Sequence, residues 1–158
     1  MNRLWGHFKT ITKHKLYVTA GCFRIGLYKQ GLLHDLSKYS PVEFCAGVKY
    51  YQGFRSPINQ EKEEKGYSLG WLHHKGRNKH HFEYWIDQSP NPQEGLIGIK
   101  MPRRYLAEMF IDRICASKIY KGKNFKPDDP LLYFLWGKTH CLMNERTSEV
   151  LEKLLTMY

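Results

Sequence analysis

No two cysteines of this chain form a Cys-x-x-Cys pair. Cys22, Cys45, Cys115 and Cys141 stand far apart, which argues against a structural zinc–thiolate knuckle. Scattered cysteines without a signal peptide point to a reducing cytoplasm. No apolar run reaches the roughly 18 residues that a membrane span needs, so no membrane partner is expected. The glycine-rich phosphate cradles GxGxxG and GxxxxGK[ST] are missing, which removes the main sequence support for nicotinamide, flavin or P-loop chemistry. No serine or cysteine lies in a recognisable nucleophile motif. Internal repeats, low-complexity segments and clear linkers are also missing. Acidic residues are the scarcer charge: 15 Asp and Glu face 25 Lys and Arg, giving a net charge of +10. Such a surface attracts phosphates, nucleic acids or acidic membranes without choosing among them.

What is present is enough for one packed domain. The chain has 158 residues, with aromatics at 15%, too rich in bulky groups for a disordered protein. Apolar and small residues from about Phe8 to Gln30 recur at helical spacing, and His14 falls on that inward stripe. Gly31 is the expected stop, and the stretch Leu32 to Lys38 follows as a short helix. Ser40-Pro41-Val42-Glu43 reads as a helix start with a capping box, running to about Gln52. Ser56-Pro57 opens a segment that is charged at first and apolar by Leu69 to Leu72. Gly76 and Asn78 mark a turn, residues 89–95 a loop, and residues 96–100 a short extended piece. Pro102 opens a long helix to about Lys121, on which Tyr105, Met109, Asp112, Ala116 and Ile119 share a face and Asp112 is the only charge. Asp129-Pro130 starts a further helix, and Thr147 is the expected cap of the last. The expectation is an all-α bundle of about six to seven helices, a single domain over residues 1–158.

One stretch stands out. Leu33-His34-Asp35-Leu36 sets an imidazole beside a carboxylate between leucines, and such groups need partners when buried. A divalent cation is one such partner. His14, His34, Asp35 and Asp112 place two imidazoles and two carboxylates on inward faces of three separate elements, a ligand set with room left for water. Each has an ordinary alternative. His14 alone reads as a hydrogen-bonded core histidine, His34-Asp35 as a surface turn, and Asp112 as a helix cap or the partner of Arg104 or Arg113.

The ordered pattern His14, His34-Asp35 and Asp112 resembles the HD-domain superfamily of metal-dependent phosphohydrolases. Lys38, in His34-Asp35-Leu36-Ser37-Lys38, matches the lysine that often follows the HD pair. His73-His74-Lys75-Gly76-Arg77 is similar to the extra histidines of binuclear members. The cluster WLHHKGRNKHHFEYW also resembles a family of small bacterial and phage HD-like proteins that brings no established activity. The resemblance implies an HD-like helical domain binding one or two divalent ions of manganese, iron, cobalt, nickel or zinc. His14, His34, Asp35 and Asp112 would hold the first. His73, His74, His80 and His81 are candidates for a second ion or for substrate contact, against the plainer reading of histidines favoured near a helix end. The implied activity is hydrolysis of a nucleotide or other small phosphoester by a metal-activated water. Asp35 and Lys38 would be the catalytic groups, with Lys38, Lys75 and Arg77 contacting substrate. Two rivals stand beside it: a catalytically silent metal-binding protein, and a basic nucleic-acid-binding module. The second draws on Lys49-Tyr50-Tyr51 and Arg103-Arg104-Tyr105, although it shows no zinc-finger or RNA-binding signature.

Overall fold

The computed structural model describes residues 2–158. The first helix, α1 (Arg3–Arg24), begins where the Asn2 side chain accepts from the Leu4 and Trp5 amides. Its buried stripe runs through His7, Ile11, His14, Val18 and Cys22, steps of three and four that keep one face inward. It ends earlier than expected. Gly26 takes a positive φ of 76°, a turn that glycine makes without the penalty of a Cβ. The chain then folds back as α2 (Tyr28–Leu33). Gly31 is therefore no terminator. It is buried inside α2, where an added Cβ would lie 3.1 Å from Cys22 Cβ.

The His-Asp pair also departs from the helical expectation. His34 closes α2, and Asp35 sits at the corner with φ 53°, the only non-glycine residue with positive φ among the described residues. A single 3₁₀ turn over Leu36–Tyr39 leads into α3 (Pro41–Lys49). Ser40 makes no side-chain capping bond, and the Glu43 side chain is turned towards the histidines of a later helix instead of completing a capping box. The charged and apolar halves of the next segment are two helices, α4 (Pro57–Lys65) and α5 (Leu69–Lys75). They are separated at Gly66, with φ 80°, and the second is capped by Ser68, whose Oγ accepts from the Trp71 amide.

The extended piece expected near residue 96 is one arm of a small antiparallel hairpin, β1 (Ile86–Gln88) with β2 (Leu96–Gly98), in which Ile86 faces Gly98. The long helix α6 (Arg103–Lys121) follows, then α7 (Asp129–Lys138) and α8 (Glu145–Met157). Asn144, not Thr147, caps α8, its side-chain oxygen accepting from the Thr147 amide. Thr147 lies within the first turn, buried, and its hydroxyl accepts from the Met101 amide. The described residues thus carry eight α-helices, against the six to seven expected, and the fold is predominantly α. None of these helices is long and apolar enough to cross a membrane.

Two apolar clusters hold the helices. Met101, Leu106, Met109, Phe134, Leu151 and Leu155 fix α6 against α7 and α8. Val18, Cys22 and Cys115 fix α1 against α6, with Leu27 and Ile111 beside them. Between α1 and α6 the approach is close: a Cβ on Gly21 would lie 2.5 Å from Ile111 Cγ2. That contact sets how near His14 on α1 comes to Asp112 on α6.

Candidate metal centre

Three elements deliver the first set of polar groups. α1 brings His14, the corner after α2 brings His34 and Asp35, and α6 brings Asp112. His14 Nε2 lies 2.9 Å from Asp112 Oδ1 and 3.5 Å from Asp35 Oδ2. His34 Nε2 is 3.3 Å from His14 Nε2 and 3.3 Å from Asp35 Oδ2. These four residues offer ligand atoms within 4.8 Å of one another. Neither arginine proposed as a partner for Asp112 takes that place, since Arg104 lies over the Tyr105 ring and Arg113 over Phe134.

A second set gathers on the other side of Asp35. Asp35, His74, His80 and His81 likewise offer ligand atoms within 4.8 Å of one another. Asp35 Oδ1 is 3.3 Å from His74 Nε2 and 3.4 Å from His80 Nε2, while His74 Nε2 and His81 Nε2 are 2.9 Å apart. The two oxygens of one carboxylate therefore face two different groups of imidazoles. Asp35 Oδ1 is buried without a hydrogen-bond partner, and so is His80 Nε2. Buried polar atoms in native folds are normally satisfied, so these orphans ask for an occupant. Neutral imidazole nitrogens and carboxylate oxygens at this spacing fit a divalent cation.

Two glutamates orient the rings, and neither was singled out from sequence as a site residue. Glu108 Oε1 accepts from His34 Nδ1 at 2.9 Å and stands 3.1 Å from His80 Nδ1. Glu43 accepts from His73 Nδ1 at 2.6 Å and from His74 Nδ1 at 2.7 Å. A carboxylate on Nδ1 fixes the tautomer and turns Nε2 towards the centre. Glu108 corrects the sequence reading of α6: it lies one turn before Asp112 and is 5% exposed, so Asp112 is not the only inward charge. The spacing of four was the available signal. Glu43 is hidden by its place in a capping-box pattern, three residues after Ser40. Asn78, read as a turn former, donates to the His74 carbonyl and to Ser37 Oγ, holding the loop that carries His80 and His81.

The remaining candidates divide. Lys38 Nζ lies 2.5 Å from Asp35 Oδ2. His73 is held by Glu43 but is outside both sets. Arg77 is exposed and donates to the His73 carbonyl, and Lys75 is half-buried. Neither Lys75 nor Arg77 pairs with the cluster among the described residues.

The charges are mutually sustaining. Burial pushes the Asp35 carboxyl up, but His34, Lys38 and His74 outweigh it and hold the group well below the usual carboxylate range. Burial likewise opposes ionisation of Asp112, and the bonds from His14 and His34 win. His34 is pulled down by burial, then raised well above an ordinary imidazole by Asp35, Asp112 and Glu108. His80 and His81 go the other way. Burial and neighbouring imidazoles lower both, keeping their rings neutral with lone pairs free to coordinate.

The model of DUF5662, a family of unknown function, matches residues 3–157. The chain belongs to DUF5662. No curated protein and no solved structure matches it. In this DUF5662 member the match spans every element that builds the centre, from α1 with His14 to α8, which braces α6.

Proposed function

We propose that the chain is a metal-dependent phosphohydrolase of the HD type, acting on a nucleotide or other small phosphoester. The observation that carries the reading is Asp35, one buried carboxylate shared between two imidazole sets, whose Oδ1 has no hydrogen-bond partner and whose Oδ2 meets only the Lys38 ammonium. His14, His34, Asp35 and Asp112 would hold one divalent cation, and Asp35, His74, His80 and His81 a second. When bound, such ions supply Lewis acidity and acidify coordinated water.

The chain's own groups do the rest. Asp35 and Asp112 offset the cation charge. Glu108 and Glu43 keep the Nε2 atoms aimed inward. Lys38 is the cation at hand for the phosphoryl oxygens, whose charge must be matched while the group transfers. Water's oxygen bonds to phosphorus, the ester P–O bond breaks, and the alcohol leaves carrying a proton. Purified protein should contain bound metal and cleave phosphomonoesters in a screen, and lose the activity with a chelator. His34→Ala or Asp35→Ala variants that kept full metal content and full activity would defeat the reading.

A silent metal-binding protein is the second reading, and one contact favours it. The Lys38 ammonium already sits on Asp35 Oδ2, supplying locally the positive charge that a substrate-binding lysine would have to release. A broad screen without turnover, together with a large rise in melting temperature on adding Mn²⁺, would support this reading.

A further inference from the structure

Residues 2–34 contain no aspartate or glutamate, yet they hold six lysines and arginines. More than half of the net charge of +10 is thus gathered on α1 and α2. The same stretch leaves large apolar groups in solvent. Trp5, Phe8, Leu16 and Phe23 are all exposed, Trp5 at 52% and Leu16 at 62%. At about 100° per residue they fall within an arc of about 80° on α1, and the stripe from Trp5 to Phe23 is about 27 Å long. It points away from the core, since His14 lies about 180° from Trp5 around the helix. Ring contacts extend it. Trp5 stacks on Phe8 with centroids 5.6 Å apart, and Phe23 meets Tyr28 of α2 edge-on at 5.2 Å. A continuous exposed stripe of this kind marks an interaction site rather than scattered surface residues.

Two of the cations are engaged within the fold. Arg3 donates to the Lys49 carbonyl, and Lys15 to the Leu32 and His34 carbonyls. Lys9, Lys13 and Arg24 border one edge of the stripe, and Lys29 adds a fourth charge from α2. No carboxylate of α1 or α2 offsets them. Lys9 lies over the Trp5 ring and Lys13 over the Tyr17 ring, so the ammonium groups stand beside apolar side chains. We propose that this outward face of α1 and α2 docks on an anionic membrane surface. Tryptophan, phenylalanine and leucine bordered by lysine and arginine suit the boundary between headgroups and acyl chains. The rings and Leu16 would enter that boundary, and the four cations would meet the lipid anions. His14 and the metal centre stay on the far side of α1. The inference is independent of the phosphohydrolase reading. It revises the expectation of no membrane partner, which rested on the lack of a spanning run.

Charge and side-chain type favour the bilayer over other occupants. A second copy of this chain would set the same cations against themselves, and like charges brought together disfavour association. A nucleic-acid strand would pair with the cations and stack on the rings. It has no use for Leu4, Leu16 and Ile25, each at least half exposed. The helices would lie along the membrane rather than through it, because none is long and apolar enough to cross. A second exposed face supplies an internal control. α7 leaves Tyr133 and Trp136 in solvent, but it carries one acid and one base and so has no net charge.

The test sediments the full-length protein with vesicles of phosphatidylcholine alone, or with about one third phosphatidylserine. Binding to the second is expected to be about ten-fold tighter or more, and to weaken steeply between about 0.1 and 0.5 M salt. Lys9→Gln combined with Lys13→Gln should weaken it by about ten-fold or more. Leu16→Ser leaves every charge in place and should weaken it by about five-fold or more, while Trp136→Ser on α7 should stay within about two-fold. Quenching of tryptophan fluorescence by lipids with brominated chains gives a second reading should a serine variant misfold. It is expected in the wild type and should be largely lost in Trp5→Phe. No binding to either vesicle, binding unchanged in Leu16→Ser, or an equal loss in Trp136→Ser would overturn the proposal. So would quenching that survives Trp5→Phe and is lost in Trp136→Phe. A dimer or a nucleic-acid complex that falls in Leu16→Ser, with no vesicle binding, would assign the face to that partner and overturn it as well.

Discussion

Asp35 holds a backbone conformation that few residues adopt. Its φ of 53° is tolerated by aspartate and asparagine better than by most others, and unusual backbone of this kind concentrates at functional sites. The corner points one oxygen at each imidazole set. The glutamates behind the rings make a sharper prediction, because Glu108 touches a histidine of each set and Glu43 touches only the second. Glu108→Gln should weaken binding of both ions, by about 10–100-fold, and Glu43→Gln that of the second ion alone. Competition with a metal-binding dye reads both, and equal effects from the two variants would contradict the arrangement.

His7 gives a prediction about pH. Burial, with Lys38 adding to it, lowers its folded pKa to about 4 from 6.5, so the unfolded chain takes the proton first as pH falls. The contribution of His7 to stability is therefore whole above pH 6.5 and declines from there down to about pH 4. Between pH 7 and pH 5 the loss is about 2 kcal/mol. The stability difference between wild type and His7→Gln, from urea unfolding at both pH values, should shift against wild type by that amount between pH 7 and pH 5.

At the scale of elements, the close approach of α1 and α6 carries the geometry. Gly21→Ala would press its Cβ onto Ile111, 2.5 Å away at the Cγ2 methyl. We expect a destabilisation of about 1–3 kcal/mol with a parallel loss of metal affinity, because the wedge separates His14 from Asp112. Adding Ile111→Ala, which removes the Cγ2 methyl, should recover part of both, as read by thermal melting and metal titration. Loss of stability without loss of affinity would mean that this contact does not set the ligand spacing.

The helical periods of α1, α3 and α6 were legible in the sequence, and so was the placement of His14, His34-Asp35 and Asp112. The corner at Asp35 was not, because a left-handed aspartate leaves no periodic trace. Gly31 misled because glycine serves both as a stop and as a close-packing residue, and only Cys22 against it tells which. Glu43 and Glu108 were hidden for another reason. A glutamate three residues after serine, or one within a charged helix, has a common surface role, and its partners are 31 and 74 residues away.

For the whole molecule, the charge of +10 sets a background attraction for any polyanion. The account predicts only non-specific nucleic-acid binding, fading steeply by about 0.2 M salt. A sequence-selective complex surviving that salt in a gel shift would favour the nucleic-acid module instead. Ions bound to the folded chain alone must also stabilise it, by about 2.7 kcal/mol at a hundred times the dissociation constant. Melting temperature should then rise with Mn²⁺ concentration and return on adding chelator.

The most direct measurement is metal stoichiometry by elemental analysis after equilibration with Mn²⁺ and desalting, comparing wild type with Asp35→Asn. That substitution keeps a residue suited to the corner and removes the shared charge. We predict two ions per chain in wild type and near-complete loss of both in the variant. A wild type that binds none, or an Asp35→Asn chain that keeps both, would contradict a centre built around that carboxylate.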